Sequence, residues 1–261
     1  MKPAGLIFFD IDGTLTRGVN SGTFIADRLG IGEQMRAAEE AYARGEMDNA
    51  AVCRVDAAGY AGLPVSMVEA WLDDMPLIDG IAPALTACRA TGLVPYVASC
   101  TWSYIGAYLA RRFGFVGWCG PELEVVDGIF TGRVAHDADE RAKPAFARER
   151  AAALGVDLAS CLAVGDSRSD IPLFQTVGAS LALNASDAAR VAASHAWDGA
   201  DLAEAIQFLL GERRAKAGAA CCTRIPPLSL CRLVCGCSAR YRACAAIASR
   251  SQAAQPATLP S

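Results

Sequence analysis

Two carboxylates, Asp10 and Asp12, stand one residue apart at the end of the apolar run Ala4-Gly5-Leu6-Ile7-Phe8-Phe9. The run reads as a buried parallel strand, and Gly13 marks a turn directly after it. Burying one carboxylate is costly, and two so close repel each other. Such a pair persists where something cationic neutralises it, and strand ends of open α/β sheets are where ligands bind. A divalent metal ion with a charged substrate is the economical reading. The plainer one is a turn whose two acids cap the next helix.

Three later points share the pattern. Strand Leu93–Ala98 ends in Ser99-Cys100-Thr101, where a hydroxyl and free amides ahead of a helix form an anion site. Lys143 precedes Pro144, which pre-sets a helix start. Strand Cys161–Val164 runs through Gly165 into Asp166-Ser167-Arg168-Ser169-Asp170. Alone, Ser99 is an ordinary loop serine and Lys143 an ordinary solvated charge. Their order and spacing make them a set.

FFDIDGTLT, VPYVAS, AKPAF and VGDSRSD resemble, in that order, the four signatures of the haloacid dehalogenase superfamily, across residues 5–210. Most similar is the branch containing phosphoserine phosphatase, with a small helical cap between the first two signatures and a hairpin before the third. The resemblance implies an α/β fold, a doubly wound parallel sheet (a Rossmann-like core) with an all-helical cap. It implies Mg2+-dependent hydrolysis of a small-molecule phosphomonoester through an aspartyl phosphate. Asp10 would be the nucleophile; Asp12 would protonate the leaving alkoxide and then deprotonate the attacking water. Mg2+ would be held by Asp10, the main-chain carbonyl of Asp12, and Asp166. Ser99, Cys100 and Lys143 would bind the phosphate. Thr14 would fix the loop by hydrogen bonding, and Asp170 would orient Lys143 or a metal-bound water. Dehalogenases lack the second acid, because a halide leaves without a proton, so Asp12 favours phosphate esters. The alternatives are phosphoserine phosphatase proper, transfer of the phosphoryl group to an acceptor alcohol, and a catalytically silent binding module.

The elements that must position these residues follow from periodicity. Residues 17–75 read as four short helices and form the expected cap. Ser21 or Thr23 caps the first helix. The second spans Gly32 to Arg44, the third begins at Asp48 and the fourth opens at Pro64. Strand and helix then alternate: helix Ile81–Ala90, strand Leu93–Ala98 and helix Trp102–Phe113. A hairpin over Glu122–Val134 turns at Asp127-Gly128. Helix Pro144–Leu154, strand Cys161–Val164, a helix from Asp170 to Thr176, strand Ala179–Leu183 and helix Leu202–Leu210 complete the core, residues 1–16 and 76–211.

In the related branch the cap chooses the substrate, with a glutamate for the amino group and an arginine for the carboxylate of phosphoserine. Those places fall here near Asn20 and Asp56, with Arg54 two residues away, so neither charged element is plainly present. Asn20, Asn49, Arg54 and Asp56 are the cap candidates; the acid at Asp56 and the polar Asn20, Asn49 and Ser21 would suit a hydroxylated substrate such as a sugar or nucleoside phosphate.

Composition bounds the rest. Of 261 residues 53% are hydrophobic and 20% charged, an ordinary globular balance. From Glu212 onward eight basic residues meet one acid, and the 16 basic and 27 acidic residues before it leave a body of charge −11. An acidic body argues against nucleic acid as a partner. No apolar stretch approaches the length of a membrane span and no secretory signal is visible, so a cytoplasmic enzyme acting on a small phosphorylated metabolite is expected. Five cysteines lie singly in the body, and six more crowd residues 221–244 without zinc-knuckle spacing. The segment 212–261, rich in Cys, Arg and Ala, lacks any period and is expected to be disordered. Nothing in the sequence sets the oligomeric state.

Overall fold

The computed structural model describes residues 2–222, of which those up to Leu210 belong to one compact unit. Among the described residues eight strands form: β1 (Gly5–Phe9), β2 (Leu93–Ala98), β3 (Trp118–Cys119), β4 (Glu122–Val126), β5 (Ile129–His136), β6 (Leu162–Gly165), β7 (Ala179–Leu183) and β8 (His195–Trp197). Six are parallel, in the order β3-β2-β1-β6-β7-β8, and β4 and β5 make a separate antiparallel hairpin. The strand order reverses at β1, whose Phe9 is in register with Val97 of β2 on one side and Val164 of β6 on the other. The crevice at such a switch point, past the carboxyl ends of the strands, is where this architecture binds ligands.

Strand β1 is apolar throughout because both its faces are covered. Leu6 and Phe8 pack with Ala147, Ala151, Leu173 and Phe174 on one side. Ile7 and Phe9 pack with Leu85, Ile105, Leu109 and Ile206 on the other. A side-chain period of two thus places one central strand in two cores, as a doubly wound sheet requires.

Between β1 and β2 the chain forms α1 (Ser21–Leu29), α2 (Gly32–Ala43), α3 (Asn49–Gly59), α4 (Val65–Trp71) and α5 (Ile81–Ala90). The excursion through α1–α4 leaves and returns at one point. Thr16 bridges Leu77, the Arg17 amide donates to the Pro76 carbonyl at 3.0 Å, and the Ile78 amide donates to the Leu15 carbonyl at 2.9 Å. A small core of Ala26, Met35, Ala38 and Val52 joins α1, α2 and α3. The hairpin, which sequence periodicity assigns to the core, bonds instead to these helices. The Gly62 amide donates to the Phe130 carbonyl, the Phe130 amide donates to the Leu63 carbonyl, and Tyr60 meets Phe130, Trp102 and Tyr104 edge-on. Its turn has φ of 51° at Asp127 and 77° at Gly128, the double left-handed turn that an Asp-Gly pair supplies.

The remaining helices are α6 (Ser103–Phe113), α7 (Ala142–Ala153), α8 (Ile171–Phe174), α9 (Asp187–Ala192) and α10 (Leu202–Cys222). Strands β3 and β8 and helix α9 carry no sequence signal, being too short to show a period. Helix α10 corrects the expected end at Leu210: alanines and charged helix formers continue it to Cys222, so residues 212–222 are helical. The rest of the expected disordered tail, 223–261, lies outside the described residues. Among the described residues no helix is long and apolar enough to cross a membrane.

Candidate active site

Asp10 is the first residue beyond β1, 4% exposed, its amide bonded to the Val164 carbonyl at 3.0 Å. The loop then doubles back, with the Leu15 and Thr16 amides on the Ile11 carbonyl at 2.8 and 2.9 Å. Gly13 sits at φ 78°, and a Cβ there would lie 2.2 Å from Asp166 Oδ2, so the close approach of the two loops requires glycine. The hydroxyl that fastens this loop is not that of Thr14. Thr14 Oγ1 is buried without a hydrogen-bond partner, and Thr16 Oγ1 instead accepts the Gly13 amide at 3.0 Å.

Asp12 points into the start of α1. Its Oδ1 accepts the Ser21 amide at 2.5 Å and its Oδ2 the Ser21 hydroxyl at 3.0 Å; that hydroxyl also lies 3.1 Å from Thr101 Oγ1. A carboxylate at a helix N-terminus is favoured by the unpaired amides there. Burial, which outweighs the Ser21 bonds, still raises Asp12 to about 6.

Lys143, in the first turn of α7 rather than ahead of it, is wholly buried. Its Nζ donates to Asp10 Oδ1 at 3.0 Å, Asp170 Oδ1 at 2.7 Å and Ser169 Oγ at 2.9 Å. Burial opposes its charge, but Asp10 and Asp170 outweigh burial and hold it well above the ordinary lysine range. The other Asp170 oxygen accepts the amides of Asp166 at 3.0 Å and Ser167 at 3.1 Å. Gly165 makes room for it, since a Cβ there would come within 2.2 Å of the Asp170 carboxyl carbon. Both Asp170 oxygens are thus engaged, one in orienting Lys143 and the other in holding the β6 loop.

Carboxylate oxygens of Asp10, Asp166 and Asp170 lie within 4.8 Å of one another. Burial, and behind it the neighbouring acids Asp170 and Asp12 working against Lys143, raises Asp10 to about 7. Burial and then the charge of Asp10 raise Asp166 to about 8. Asp166 Oδ1 is buried with no hydrogen-bond partner. Of the three, Asp166 has the least engaged carboxylate, and Asp10 has one oxygen free of Lys143. An all-oxygen, net-negative set with an orphaned buried oxygen fits a hard divalent cation.

Opposite them, beyond β2, Ser99 is 2% exposed and its Oγ accepts the Thr101 amide at 3.3 Å. A pocket of about 720 Å³ opens over Asp10, Asp12, Ser99, Cys100 and Asp166 and extends toward α1–α3.

Residues 7–175 match the family described as haloacid dehalogenase-like hydrolase. The chain belongs to that family. Among curated proteins it is 34% identical over 216 residues to phosphoserine phosphatase SerB2 of Mycobacterium tuberculosis, covering 82% of this chain and 52% of that one. It is 31% identical over 181 residues to the phosphoserine phosphatase of Halobacterium salinarum, covering 69% and 85%. The chain thus spans about half the length of SerB2, and likewise of the Streptomyces coelicolor phosphoserine phosphatase. The fold is shared with a solved phosphoserine phosphatase carrying a phospho-aspartyl intermediate analogue (TM-score 0.70, 24% identity, 78% of this chain and 98% of that one).

In this haloacid dehalogenase-like hydrolase the four cap candidates divide. Asn20 is the N-cap of α1, its Oδ1 accepting the Thr23 amide at 3.1 Å, so the cap expected of Ser21 or Thr23 belongs to Asn20. Buried Asn49 donates to the carbonyls of Cys100 at 3.2 Å and Ala138 at 2.7 Å, tying α3 to the loop after β2. Asp56 lines the pocket and accepts the Trp102 indole N–H at 2.5 Å. Arg54 does not reach the pocket; two residues from Asp56 on a helix, it turns away to a separate depression with Arg133 and Asp137.

Two charged pocket residues, Glu39 and Arg168, are given no role by the sequence reading. Glu39 falls on the buried face of α2 set by Met35 and Ala38, a period that could have singled it out. Arg168 donates to the Tyr42 carbonyl at 2.8 Å, with its guanidinium 4.2 Å from the Tyr42 ring centre. This link between the β6 loop and α2 joins residues 126 apart in sequence, and no local pattern marks it.

Proposed function

We propose that this chain is a Mg2+-dependent phosphatase that hydrolyses a small phosphomonoester through an aspartyl phosphate on Asp10. The observation that carries the reading is the shared lysine. Lys143 fixes Asp10 through Oδ1 and leaves Oδ2 to attack phosphorus, while Asp166 beside it holds a buried, unpartnered oxygen.

Asp10, Asp166 and the Asp12 carbonyl would hold Mg2+, and Ser99 and Cys100 would take phosphate oxygens from the other side. The ion, when bound, supplies the positive charge that lets a carboxylate approach a phosphate dianion. Asp12, raised to about 6 by burial, retains a proton into the weakly acidic range. Held by Ser21 in one orientation, it gives that proton to the leaving alkoxide and afterwards accepts one from the hydrolytic water. Lys143 offsets charge on Asp10 from beneath the site and keeps its rotamer fixed.

A second reading, phosphoserine hydrolysis in particular, is supported by the curated relatives, which are phosphoserine phosphatases. The test is phosphate release from p-nitrophenyl phosphate with Mg2+ and with a chelator. Release should depend on the metal and fall by about 10³-fold or more in Asp10→Asn. Undiminished release by that variant overturns the mechanism.

A further inference from the structure

Asn49 opens α3 and lines the pocket from a buried position. The Asp48 carboxylate accepts the Ala51 amide at 2.7 Å, capping the helix and fixing where Asn49 emerges. Two carbonyl acceptors face the Asn49 amide group, so its nitrogen is the end that must point at them. One is Cys100, at 3.2 Å in the loop after β2. The other is Ala138, at 2.7 Å in the loop that leads to α7 and Lys143. An amide nitrogen has two hydrogens, and both are thereby committed to main chain rather than to a ligand. Asp56 lies seven residues on, two turns along the same face of α3. It accepts the Trp102 indole N–H at 2.5 Å, and Tyr60 bonds to it as well. Helix α3 therefore grips the loop after β2 at residues 100 and 102, on either side of Thr101.

The peptide between Cys100 and Thr101 is held at both ends. Its carbonyl takes Asn49, and its N–H, on Thr101, donates to Ser99 Oγ at 3.3 Å. In a planar trans peptide these two groups point to opposite sides, so fixing the carbonyl fixes the direction of the N–H. Ser99 Oγ, accepting that N–H, keeps its one proton for a different acceptor. It lines the pocket beside Asp10 and Asp166, where a substrate phosphate would supply that acceptor. We propose that Asn49 is a positioning residue: through the Cys100–Thr101 peptide it aims the Ser99 hydroxyl at the phosphate, and it does not choose the alcohol portion of the substrate. This inference rests on the phosphatase reading. It couples the cap to phosphate binding through hydrogen bonds that touch no part of the leaving group. Asn49 thus serves every phosphomonoester alike.

The experiment measures kcat and KM for p-nitrophenyl phosphate and 2-hydroxyethyl phosphate, and the inhibition constant of inorganic phosphate, on the full-length Mg2+-loaded enzyme. Asn49→Ala should raise the phosphate inhibition constant and both KM values by about tenfold, the size of one hydrogen bond to a charged group, with the ratio of the two esters unchanged. Ser99→Ala should do the same. The double variant should lose no more than Ser99→Ala alone, because both substitutions act through one hydroxyl. Asn49→Asp keeps the shape of the side chain and removes both donors. It should lose at least as much as Asn49→Ala, and it carries the comparison should the smaller residue fail to fold. Three results would each overturn the positioning role alone: losses that add in the double variant, an unchanged phosphate inhibition constant in a folded Asn49 variant, or a change confined to one ester. A parent enzyme that releases phosphate from neither ester overturns the phosphatase reading and this one with it.

Discussion

At the scale of single residues, the site is a set of charges that neutralise one another in a buried place. Asp10, Asp12, Asp166 and Asp170 were legible because each lies within a few residues of a strand end, where local patterning is strongest. Their sorting was less so, because it depends on where hydrogen bonds fall. Asp170 became an orienting group and Asp166 was left with an open oxygen. Thr14 shows the limit of reading a role from a motif. Its hydroxyl is buried and unpartnered, and Thr16 does the fastening. Thr14→Val should therefore leave stability unchanged or raise it by about 1 kcal/mol, since an unsatisfied buried hydroxyl is exchanged for a methyl. Urea unfolding measures this, and a loss of 2 kcal/mol or so would show that Thr14 has a bonding role.

At the scale of elements, α1–α4 and their borders follow from apolar spacing and capping residues. What α3 presents to the pocket does not, because a shift of two residues exchanges Arg54 for Asp56. Only packing of α3 on the hairpin and α6 settles which side faces in; Tyr60 against Trp102, Tyr104 and Phe130 fixes that side. The Trp102–Asp56 bond across α6 and α3 has a consequence for stability. Burial raises Asp56 from 3.8 to about 7 in the folded protein. A raised acid supports the fold fully below its unfolded pKa, and that support is lost as pH rises from about 4 to about 7. Asp56→Asn removes this group from the titration. Relative to the parent, the variant should gain stability between pH 5 and pH 8, by an amount on the order of a few kcal/mol. Denaturant melts at both values provide the check. A difference between variant and parent that does not change with pH contradicts the assignment.

At the scale of the whole molecule, the doubly wound sheet was legible from alternating strand and helix signals, and its reversal at β1 explains why four distant segments meet. Beyond the ends of β1, β2 and β6 the sheet brings together Asp10, Ser99 and Asp166, while α7 raises Lys143 from beneath. Hidden from the sequence were β3, β8 and α9, too short to show a period, and the reach of α10 to Cys222. Also hidden were contacts such as Arg168 on Tyr42, which exist only once the β6 loop and α2 lie side by side. The central claim is that this assembly turns Asp10 into a transient phosphoryl carrier. It is tested most directly by acid-quenching the enzyme during turnover of a phosphomonoester with Mg2+ and mapping the phosphorylated peptide by mass spectrometry. The account predicts a base-labile acyl phosphate on Asp10, present in the parent enzyme and missing from Asp10→Asn. Turnover with no covalent phosphate, or with the phosphate on another residue, would contradict it.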